Sequence, residues 1–311
     1  MDLKLANIEL AARTINPVFL NSPQFADDQL SAGLGQRTIV KVETANPIRS
    51  FKGRGADFLL HTFDRKQTIV CASAGNFGQA VAYAGRSRGI AVEVFVPTDA
   101  NPLKMARMRS FGATVISIGS DFDKAKQHAR ERAKQDNCVF VEDGHEPAIC
   151  EGAGTIGVEL LNVGPLDAVV VPLGDGALIS GVGLWIKHHS PRTKIIGVCA
   201  ENTPAMHASW RAGKAVVTKT ADTIADGIAV GVPVEVSVQR MKSLVDDIVL
   251  VSDEQMLDAM RLAASTLGLV LEPSGAAGLA AIRAHSIVGN QMATILTGSN
   301  IHPNLIPKIL A

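Results

Sequence analysis

A lysine next to an aromatic residue and two glycines has the clearest chemical potential in this sequence. Lys52 lies within Ser50-Phe51-Lys52-Gly53-Arg54-Gly55. We expect it in a turn between a strand over 38–43 and a helix over 56–63. A partly buried amine loses its charge easily, and a neutral amine can form a Schiff base. An isolated lysine is more often a solvated surface residue, so this hypothesis depends on the rest of the chain.

Three further turns follow short apolar segments typical of buried strands. Parallel sheets bind ligands beyond the carboxyl ends of their strands, against helix N-termini. The free N–H groups and positive dipole end of a helix N-terminus suit phosphate and carboxylate. Each turn alone is a common connection, but the three together with Lys52 favour a site for an anionic, ring-bearing ligand. The turns are Ser73–Asn76, Gly174–Ala177 and Thr297–Asn300.

The elements that must position these residues alternate between strands and helices. Such alternation predicts crossover units and a mostly parallel sheet. Asp121 and Asp253 stand where helix N-caps or first-turn acids are expected. The predicted strands are 38–42, 68–72, 91–96, 114–118, 168–172, 194–199 and 292–296. The predicted helices are 77–88, 102–111, 121–135, 155–162, 177–189, 253–267 and 276–285.

Composition and charge narrow the possible functions. The 311 residues include 28 glycines and only 4% aromatics, which suits helices packed closely on a parallel sheet. Thirty basic residues balance thirty acidic ones, which argues against a general nucleic-acid or anionic-membrane binder. No apolar segment is long enough to span a bilayer, and no secretory signal is visible. The four scattered cysteines predict free thiols in a reducing compartment, so we expect a cytoplasmic protein.

Taken together, these segments resemble the fold type II pyridoxal-phosphate enzymes, in the branch of serine/threonine dehydratases and serine racemases. The resemblance covers nearly the whole chain, because many motifs occur in the expected order. It implies a two-lobed, three-layer α/β/α fold with mostly parallel sheets. The motifs are Lys41–Glu43, Ser50–Ala56, Ser73–Ala80, Glu151–Gly157, Thr223–Gly227 and Glu272–Gly278.

The resemblance also implies roles for individual residues around pyridoxal 5'-phosphate. Lys52 would hold the cofactor as a Schiff base and then remove the substrate's Cα proton. Asn76 would bond the ring's 3-hydroxyl oxygen, and Thr297 would face the pyridine nitrogen. Phe51 would pack beside the cofactor or belong to the core, and Glu272 would line the pocket or cap a helix. The phosphate would bind the backbone of Gly174, Asp175, Gly176, Ala177 and Leu178, and the substrate carboxylate would bind Ser73, Ala74, Gly75, Asn76 and Phe77.

Residue 297 bears on the chemistry of the ring. A hydroxyl can hydrogen-bond the pyridine nitrogen but cannot serve as its counterion, as a carboxylate would. The ring then stays largely neutral and is a milder electron sink. Elimination, in which charge leaves with the β-substituent, is favoured over a long-lived carbanion.

Three positions depart from the family's commonest pattern. Racemases of this branch have a second serine where this chain has Ala74, which has no proton to give. Phe77 replaces a residue that is often histidine in dehydratases, so the substrate side of the pocket should be less polar. The phosphate turn usually contains four glycines, whereas Asp175 here places an acid that would repel phosphate unless it points away or is paired.

A fourth departure concerns a divalent cation that some relatives bind. The corresponding positions here are Cys199, Thr203 and Ala205, which lack both carboxylates, and magnesium or calcium needs hard oxygen ligands. We therefore expect no structural cation of that kind.

The leading hypothesis is β-elimination on a β-hydroxy amino acid such as L-threonine or L-serine, giving a 2-oxo acid and ammonia. The resemblance implies that the cofactor phosphate protonates the leaving hydroxyl. Alternatives within the family are the same reaction on a bulkier or acidic substrate, racemisation, and β-replacement. A nucleotide-binding oxidoreductase is a weaker alternative because it would leave Lys52 and Asn76 unused, and a non-catalytic binding protein is disfavoured because Lys52 is retained.

Domain organisation follows from the same resemblance. We expect a large cofactor-binding domain of residues 1–66 and 148–311 and a small inserted domain of residues 67–147. No separate amino-acid-sensing domain is expected after the last predicted strand, and relatives of this kind suggest a homodimer. The expected partner is a small amino-acid substrate, without nucleic acid or membrane.

Overall fold

The computed structural model describes residues 1–135, 137–218, 222–287 and 289–310, and its core is built on two sheets. The larger has six strands in the order β1-β2-β10-β7-β8-β9. Only β1 is antiparallel; the other pairings are parallel. The strands are β1 Gln24–Ala26, β2 Thr38–Val42, β7 Ala168–Pro172, β8 Lys194–Ala200, β9 Asp247–Val251 and β10 Met292–Leu296.

The smaller sheet has four parallel strands in the order β5-β4-β3-β6. All four come from one continuous part of the chain, between β2 and β7. They are β3 Thr68–Ala72, β4 Ala91–Val96, β5 Thr114–Ser117 and β6 Cys138–Phe140. This arrangement confirms the predicted α/β fold with mostly parallel sheets. The boundaries of the inserted domain at residues 67 and 147 stay a prediction. Residue 311, the predicted end of the large domain, lies outside the described residues.

Helices cover both sheets. The helices of the first half are α1 Leu5–Thr14, α2 Asp28–Leu34, α3 Lys52–His61, α4 Asn76–Arg88, α5 Pro102–Ser110, α6 Phe122–Arg132 and α7 Pro147–Leu160. Those of the second half are α8 Ala177–His189, α9 Ala205–Ala212, α10 Glu235–Met241, α11 Asp253–Leu267, α12 Pro273–Ala284 and α13 Ile306–Leu310. Asp121 caps α6 by accepting from the Lys124 N–H at 2.9 Å, and Asp253 lies in the first turn of α11, as expected.

Two predictions about the chain near Lys52 are wrong. Lys52 is the first residue of α3 and does not lie in a turn, and α7 begins at Pro147, well before residue 155. Glycines lowered the predicted helix content of both segments. The helices form because they pack backbone to backbone: a Cβ on Gly152 would lie 2.6 Å from the Arg54 carbonyl oxygen. Tertiary packing therefore overrides local propensity here.

A buried ion cluster joins these helices to β2. The Arg54 guanidinium is fully buried and donates to Glu43 Oε1 at 2.7 Å and to Glu159 Oε1 at 2.6 Å. Lys41 Nζ lies 2.5 Å from Glu159 Oε2. Arg54 and Lys41 hold the pKa of Glu159 below its usual value despite burial. The cluster fixes α3, and with it Lys52, against the large sheet.

Candidate active site

A cleft of about 550 Å³ lies at the carboxyl ends of strands from both sheets. The segments that follow β2, β3, β7 and β10 all contribute to it, as expected for a parallel α/β fold. Every residue to which the sequence assigned a role lines this one cleft. They are Phe51, Lys52, Ser73, Ala74, Gly75, Asn76, Phe77, Gly174, Asp175, Gly176, Ala177, Leu178, Glu272 and Thr297.

Lys52 presents its amine to this cleft from the N-terminus of α3. Its Nζ is in direct contact with the carboxylate of Asp143, and both side chains are largely buried. The Nζ also lies 4.8 Å from the centre of the Phe51 ring, so Phe51 both borders the cleft and belongs to the core. The Lys52 amine is thus held in place by an ion pair and an aromatic face.

The sequence analysis missed Asp143. It follows β6 at the same edge of the small sheet as the segment after β3. Because β6 has only three residues and was not predicted, nothing placed Asp143 near Lys52. A strand assignment at Cys138–Phe140 would have pointed to it, since the carboxyl ends of parallel strands meet at one edge.

The predicted phosphate turn connects β7 to α8. Gly176 has φ of 88°, and a Cβ on it would lie 2.1 Å from Ser237 Oγ. A Cβ on Gly174 would lie 2.7 Å from the Gly227 carbonyl oxygen. Only glycine fits these two places, so the backbone itself forms the wall of the cleft. The N–H groups of the first turn of α8 have no partner within the helix and are available to an anion.

Asp175 stands between the two glycines and is half-buried. Its carbonyl oxygen accepts a hydrogen bond from Ser237 Oγ at 2.5 Å, which fixes the backbone of the turn. Burial and the nearby Asp143 raise the pKa of the Asp175 carboxyl to about 7, while Lys52 and Lys126 act in the opposite direction. At neutral pH a large share of this carboxyl is therefore protonated, which lessens the repulsion expected beside a phosphate.

Asn76 is held from both sides at the start of α4. Its Nδ2 donates to Glu272 Oε1 at 2.6 Å, and its Oδ1 accepts from Asn300 Nδ2 at 2.8 Å. Glu272 has the N-cap position of α12 without capping it through its side chain, because that side chain is bonded to Asn76. The sequence analysis gave Asn300 no role, although it falls in the turn after β10.

Glu272 is fully enclosed. Its Oε2 has no hydrogen-bond partner among the residues that the structure describes. Burial, and then the charge of Asp226, raise the pKa of Glu272 to about 7. Glu272 is therefore a second acidic group of the cleft that carries a proton near neutrality.

The segment after β3 forms a compact loop that is stabilised by Ser73. Its Oγ accepts from the Gly75 N–H at 3.2 Å and from the Gly78 N–H at 3.0 Å. Phe77 is buried, with 5% of its surface exposed, and packs into the core beneath the cleft. Ala74 offers no polar atom beyond its backbone.

Thr297 closes the far wall of the cleft. It is buried, and its hydroxyl donates to the Ser274 carbonyl oxygen at 3.3 Å. A hydrogen bond of that length is weak, so the hydroxyl remains able to turn toward a ring nitrogen in the cleft.

At the mouth of the cleft, Lys104 contacts the carboxylate of Asp226. Lys104 belongs to α5 beside the small sheet, whereas Asp226 lies in the segment 223–227 on the opposite side. Phe122 and Val232 border the same opening with 46% and 60% of their surfaces exposed. The entrance therefore combines one ion pair with apolar side chains.

These residues fit pyridoxal phosphate. Lys52 supplies an amine, the turn before α8 supplies a backbone cradle that any Cβ would fill, and Glu272 Oε2 is a buried polar atom without a partner. The fit is chemical as well as steric. The free N–H groups of the turn can bind the phosphate, and the Lys52 amine can form a Schiff base with the aldehyde of the cofactor.

Comparison with known proteins identifies the family of this chain. The family model described as "Pyridoxal-phosphate dependent enzyme" matches residues 15–298. L-threonine ammonia-lyase of Thermotoga maritima is 36% identical over 99% of this chain and 78% of its own length. The structure of processed threonine deaminase isoform 2 from Solanum lycopersicum is 30% identical, with a TM-score of 0.90 over 98% of this chain and 92% of that one. Maize serine racemase is 26% identical, with a TM-score of 0.93 over 100% of this chain and 97% of that one.

The chain therefore belongs to the pyridoxal-phosphate-dependent enzymes of fold type II, in the branch of serine/threonine dehydratases and serine racemases. Pyridoxal phosphate is its cofactor. The chain spans about half the length of several matching threonine dehydratases, 55% of the Escherichia coli protein and 46% of the Arabidopsis thaliana protein.

The positions predicted to lack a cation were Cys199, Thr203 and Ala205, and all three are buried. No group of three His, Cys, Asp or Glu residues that could hold a metal occurs in the described ranges. The expectation of no structural cation stays a prediction. Within those same ranges no helix is long and apolar enough to cross a membrane.

Proposed function

We propose that this protein is a pyridoxal-phosphate-dependent ammonia-lyase that dehydrates and deaminates a β-hydroxy amino acid such as L-threonine or L-serine. The products are a 2-oxo acid and ammonia. The observation that carries the proposal is that Lys52, the anion-binding turn before α8 and the loop after β3 border one cleft. The relatives named for threonine deamination support the same reaction.

In this proposal the protein binds the cofactor at three points. The N–H groups at the start of α8 bind the phosphate, Asn76 bonds the 3-hydroxyl oxygen, and Thr297 donates to the pyridine nitrogen. Phe51 packs beside the ring. Once the substrate amine has replaced Lys52 on it, the cofactor would withdraw electrons from the substrate's Cα and so acidify the Cα–H bond.

The loop Ser73–Phe77 binds the substrate carboxylate through backbone N–H groups and the Ser73 hydroxyl. This orients the Cα–H bond toward Lys52. Once the substrate amine has displaced it, Lys52 Nζ removes the Cα proton as a general base. Asp143 lies against this amine and holds it in position. Removal of water from the cleft strengthens each of these contacts.

Elimination is favoured over racemisation by the residue at position 74. Racemisation needs a second proton donor on the other face of the substrate, and Ala74 has none to give. A hydroxyl at residue 297 also leaves the ring without a carboxylate counterion, which favours loss of the β-substituent.

The apolar wall of the cleft favours a second candidate, the same elimination on a β-hydroxy amino acid with a bulkier side chain. Phe77 is in the cleft wall, and Phe122 and Val232 expose apolar surface at its mouth. An aryl side chain would cover that surface.

The test is a visible spectrum of the purified protein, followed by addition of L-serine, L-threonine, their D-forms and L-threo-3-phenylserine with detection of 2-oxo acid. An absorption band of bound cofactor that changes with L-serine or L-threonine, together with oxo acid, would support the first candidate. Oxo acid from phenylserine alone would favour the second. A protein that cannot be loaded with pyridoxal phosphate would refute both.

Three further parts of this proposal concern organisation. We propose a large domain of residues 1–66 and 148–311 with an inserted domain of 67–147, in line with the separate four-stranded sheet. We propose a homodimer on the family resemblance, to be measured by light scattering. We also propose a cytoplasmic location, which agrees with four cysteines that form no disulfide among the described residues.

A further inference from the structure

β-Elimination of a hydroxyl needs an acid as well as a base. Hydroxide is a poor leaving group, so a proton must reach the departing oxygen as the Cβ–O bond breaks. Lys52 cannot supply it at that moment, because it is receiving the Cα proton. A second group in the cleft must enter this step with a proton to give.

Six carboxyl groups of the described residues border the cleft. Asp121 caps α6 and Asp123 is exposed to solvent, which leaves four candidates. Asp143 is paired with Lys52, and Asp226 is paired with Lys104 at the mouth. Glu272 carries a proton near neutrality but is fully enclosed and hydrogen-bonded to Asn76, where the ring of the cofactor is expected. These three are engaged with other groups.

The remaining carboxyl belongs to Asp175. It is half-buried, borders the cleft, and has no hydrogen-bond partner for its side chain in the part of the chain that the structure describes. Its backbone is held by the hydrogen bond from Ser237 Oγ, and its Cβ packs closely against Gly144 of the segment after β6, where an added Cβ would lie 2.8 Å away.

The surroundings of Asp175 favour its protonated form. The charged groups that face it are Asp143 and Glu142 of the segment after β6, Lys52 of α3 and Lys126 of α6. Burial and Asp143 outweigh the two lysines and raise the pKa of Asp175 to about 7. A phosphate bound to the turn would add negative charge and raise the pKa further, because a nearby anion disfavours ionisation.

We propose that Asp175 is the general acid that protonates the leaving β-hydroxyl, in place of the cofactor phosphate to which the family resemblance assigned this step. This role rests on the proposed β-elimination. It gives a chemical reason for an acid in a turn that the family resemblance leads one to expect as four glycines.

The step balances in atoms and electrons. The Cα–H bond breaks and its proton goes to Lys52 Nζ, while its electron pair forms the Cα=Cβ double bond. The Cβ–O bond breaks toward oxygen, which takes the proton of Asp175 and leaves as water. Asp175 is left as a carboxylate beside the protonated Lys52. Transfer of that proton from Lys52 to Asp175, directly or through Asp143, resets both groups, so no external acid is needed.

The test compares two substrates that differ only in the leaving group. L-Serine loses hydroxide and needs an acid, whereas β-chloro-L-alanine loses chloride and needs none. In the variant Asp175→Asn we expect kcat on L-serine to fall by about 10²- to 10⁴-fold, the usual contribution of general acid catalysis. We expect turnover of β-chloro-L-alanine to stay within about fivefold of the unmodified enzyme, since that leaving group needs no acid.

The matched control is Asp123→Asn, which removes an exposed carboxylate at the mouth of the same cleft. It should leave both substrates unaffected. Binding of pyridoxal phosphate to each variant, followed by its absorbance, supplies a measure that does not depend on turnover. Affinity in Asp175→Asn should be equal to or higher than that of the unmodified protein, because a charge that repels phosphate is removed.

Equal losses on the two substrates, or no loss on L-serine, would overturn the assignment. If Asp175→Asn fails to fold, the pH dependence of kcat in the unmodified enzyme tests the role of Asp175. Its kcat on L-serine should fall as pH rises through the pKa of the acid while kcat on β-chloro-L-alanine does not, and identical pH profiles would refute the role. Absence of turnover with either substrate would instead refute the proposed function itself.

Discussion

Replacement of Gly176 by alanine separates two physical requirements of the turn before α8. The first is conformational: Gly176 has φ of 88° and ψ of −2°, a left-handed conformation that costs a residue with a Cβ about 1–2 kcal/mol. The second is steric, because the new Cβ would lie 2.1 Å from Ser237 Oγ. Forcing an extra methyl into a packed site costs about 1–3 kcal/mol. The two together predict that Gly176→Ala lowers the free energy of unfolding by about 2–5 kcal/mol.

Ser237 cannot simply turn away. Its hydroxyl donates to the Asp175 carbonyl oxygen at 2.5 Å, and loss of that bond costs about 1 kcal/mol. Ser237→Ala therefore costs about that much alone, but it removes the atom that clashes. The next atoms, Met206 Cε at 3.4 Å and Ser237 Cβ at 3.5 Å, are at ordinary contact distance. The double variant should lose only about 2–3 kcal/mol, less than the sum of the two single losses.

The assay is equilibrium urea unfolding followed by circular dichroism, with and without pyridoxal phosphate. Gly268→Ala is the matched control, because Gly268 has φ of 66° and no atom within 4 Å of an added Cβ, so only the conformational cost of about 1–2 kcal/mol remains. Gly176→Ala should also bind the cofactor more weakly, since the start of α8 must shift. Equal losses in the Gly176 and Gly268 variants, or additive losses in the double variant, would refute the steric argument.

Three further predictions follow from buried charges and from residue 297. Burial raises the pKa of Glu272 from its usual 4.5 to about 7, so the unmodified protein should lose about 3 kcal/mol of stability from this group as pH rises from 4 to 8. Urea unfolding should show that this part of the loss is absent in Glu272→Gln. Parallel curves of stability against pH for the two proteins would contradict this. Arg54→Met should cost about 3–5 kcal/mol because Glu43 stays buried without its cation and Glu159 keeps only Lys41, whereas Lys134→Met, at an exposed pair with Glu131, should cost under about 0.5 kcal/mol by the same measurement. Thr297→Asp should place a counterion against the pyridine nitrogen and shift the loaded enzyme toward a protonated ring; an unchanged visible spectrum and an unchanged ratio of elimination to racemisation would count against the role of the hydroxyl.

The sequence predicted the limits of those strands that are buried and apolar. The predicted limits of β2, β3, β4, β7 and β10 agree with the structure, because a buried parallel strand is a short apolar segment bounded by turn residues. Three of the four edge strands were missed. β1 and β6 have three residues each, too short for a period to be recognised, and the five-residue β9 was not predicted either. The start of α3 and the first half of α7 were missed because their glycines are unfavourable locally and are required only by the contact between the two helices.

Lys52 and the three turns of the candidate site were named from residue types and order, because an amine and free backbone N–H groups carry the chemistry, whereas the roles of Asn76 and Thr297 came from the family resemblance. What the sequence did not contain is the environment of those groups. Asp143, after β6 of the small sheet, contacts Lys52, after β2 of the large sheet, only because the strands of both sheets end at one cleft, and Asn300 reaches Asn76 across 224 positions of the chain. The protonation of Asp175 and Glu272 likewise depends on burial and neighbouring charge, which arise from distant segments. Residue types thus determined which chemistry is available, and the tertiary structure decided which acid carries a proton and where, because desolvation and charge–charge interaction depend on distance in space.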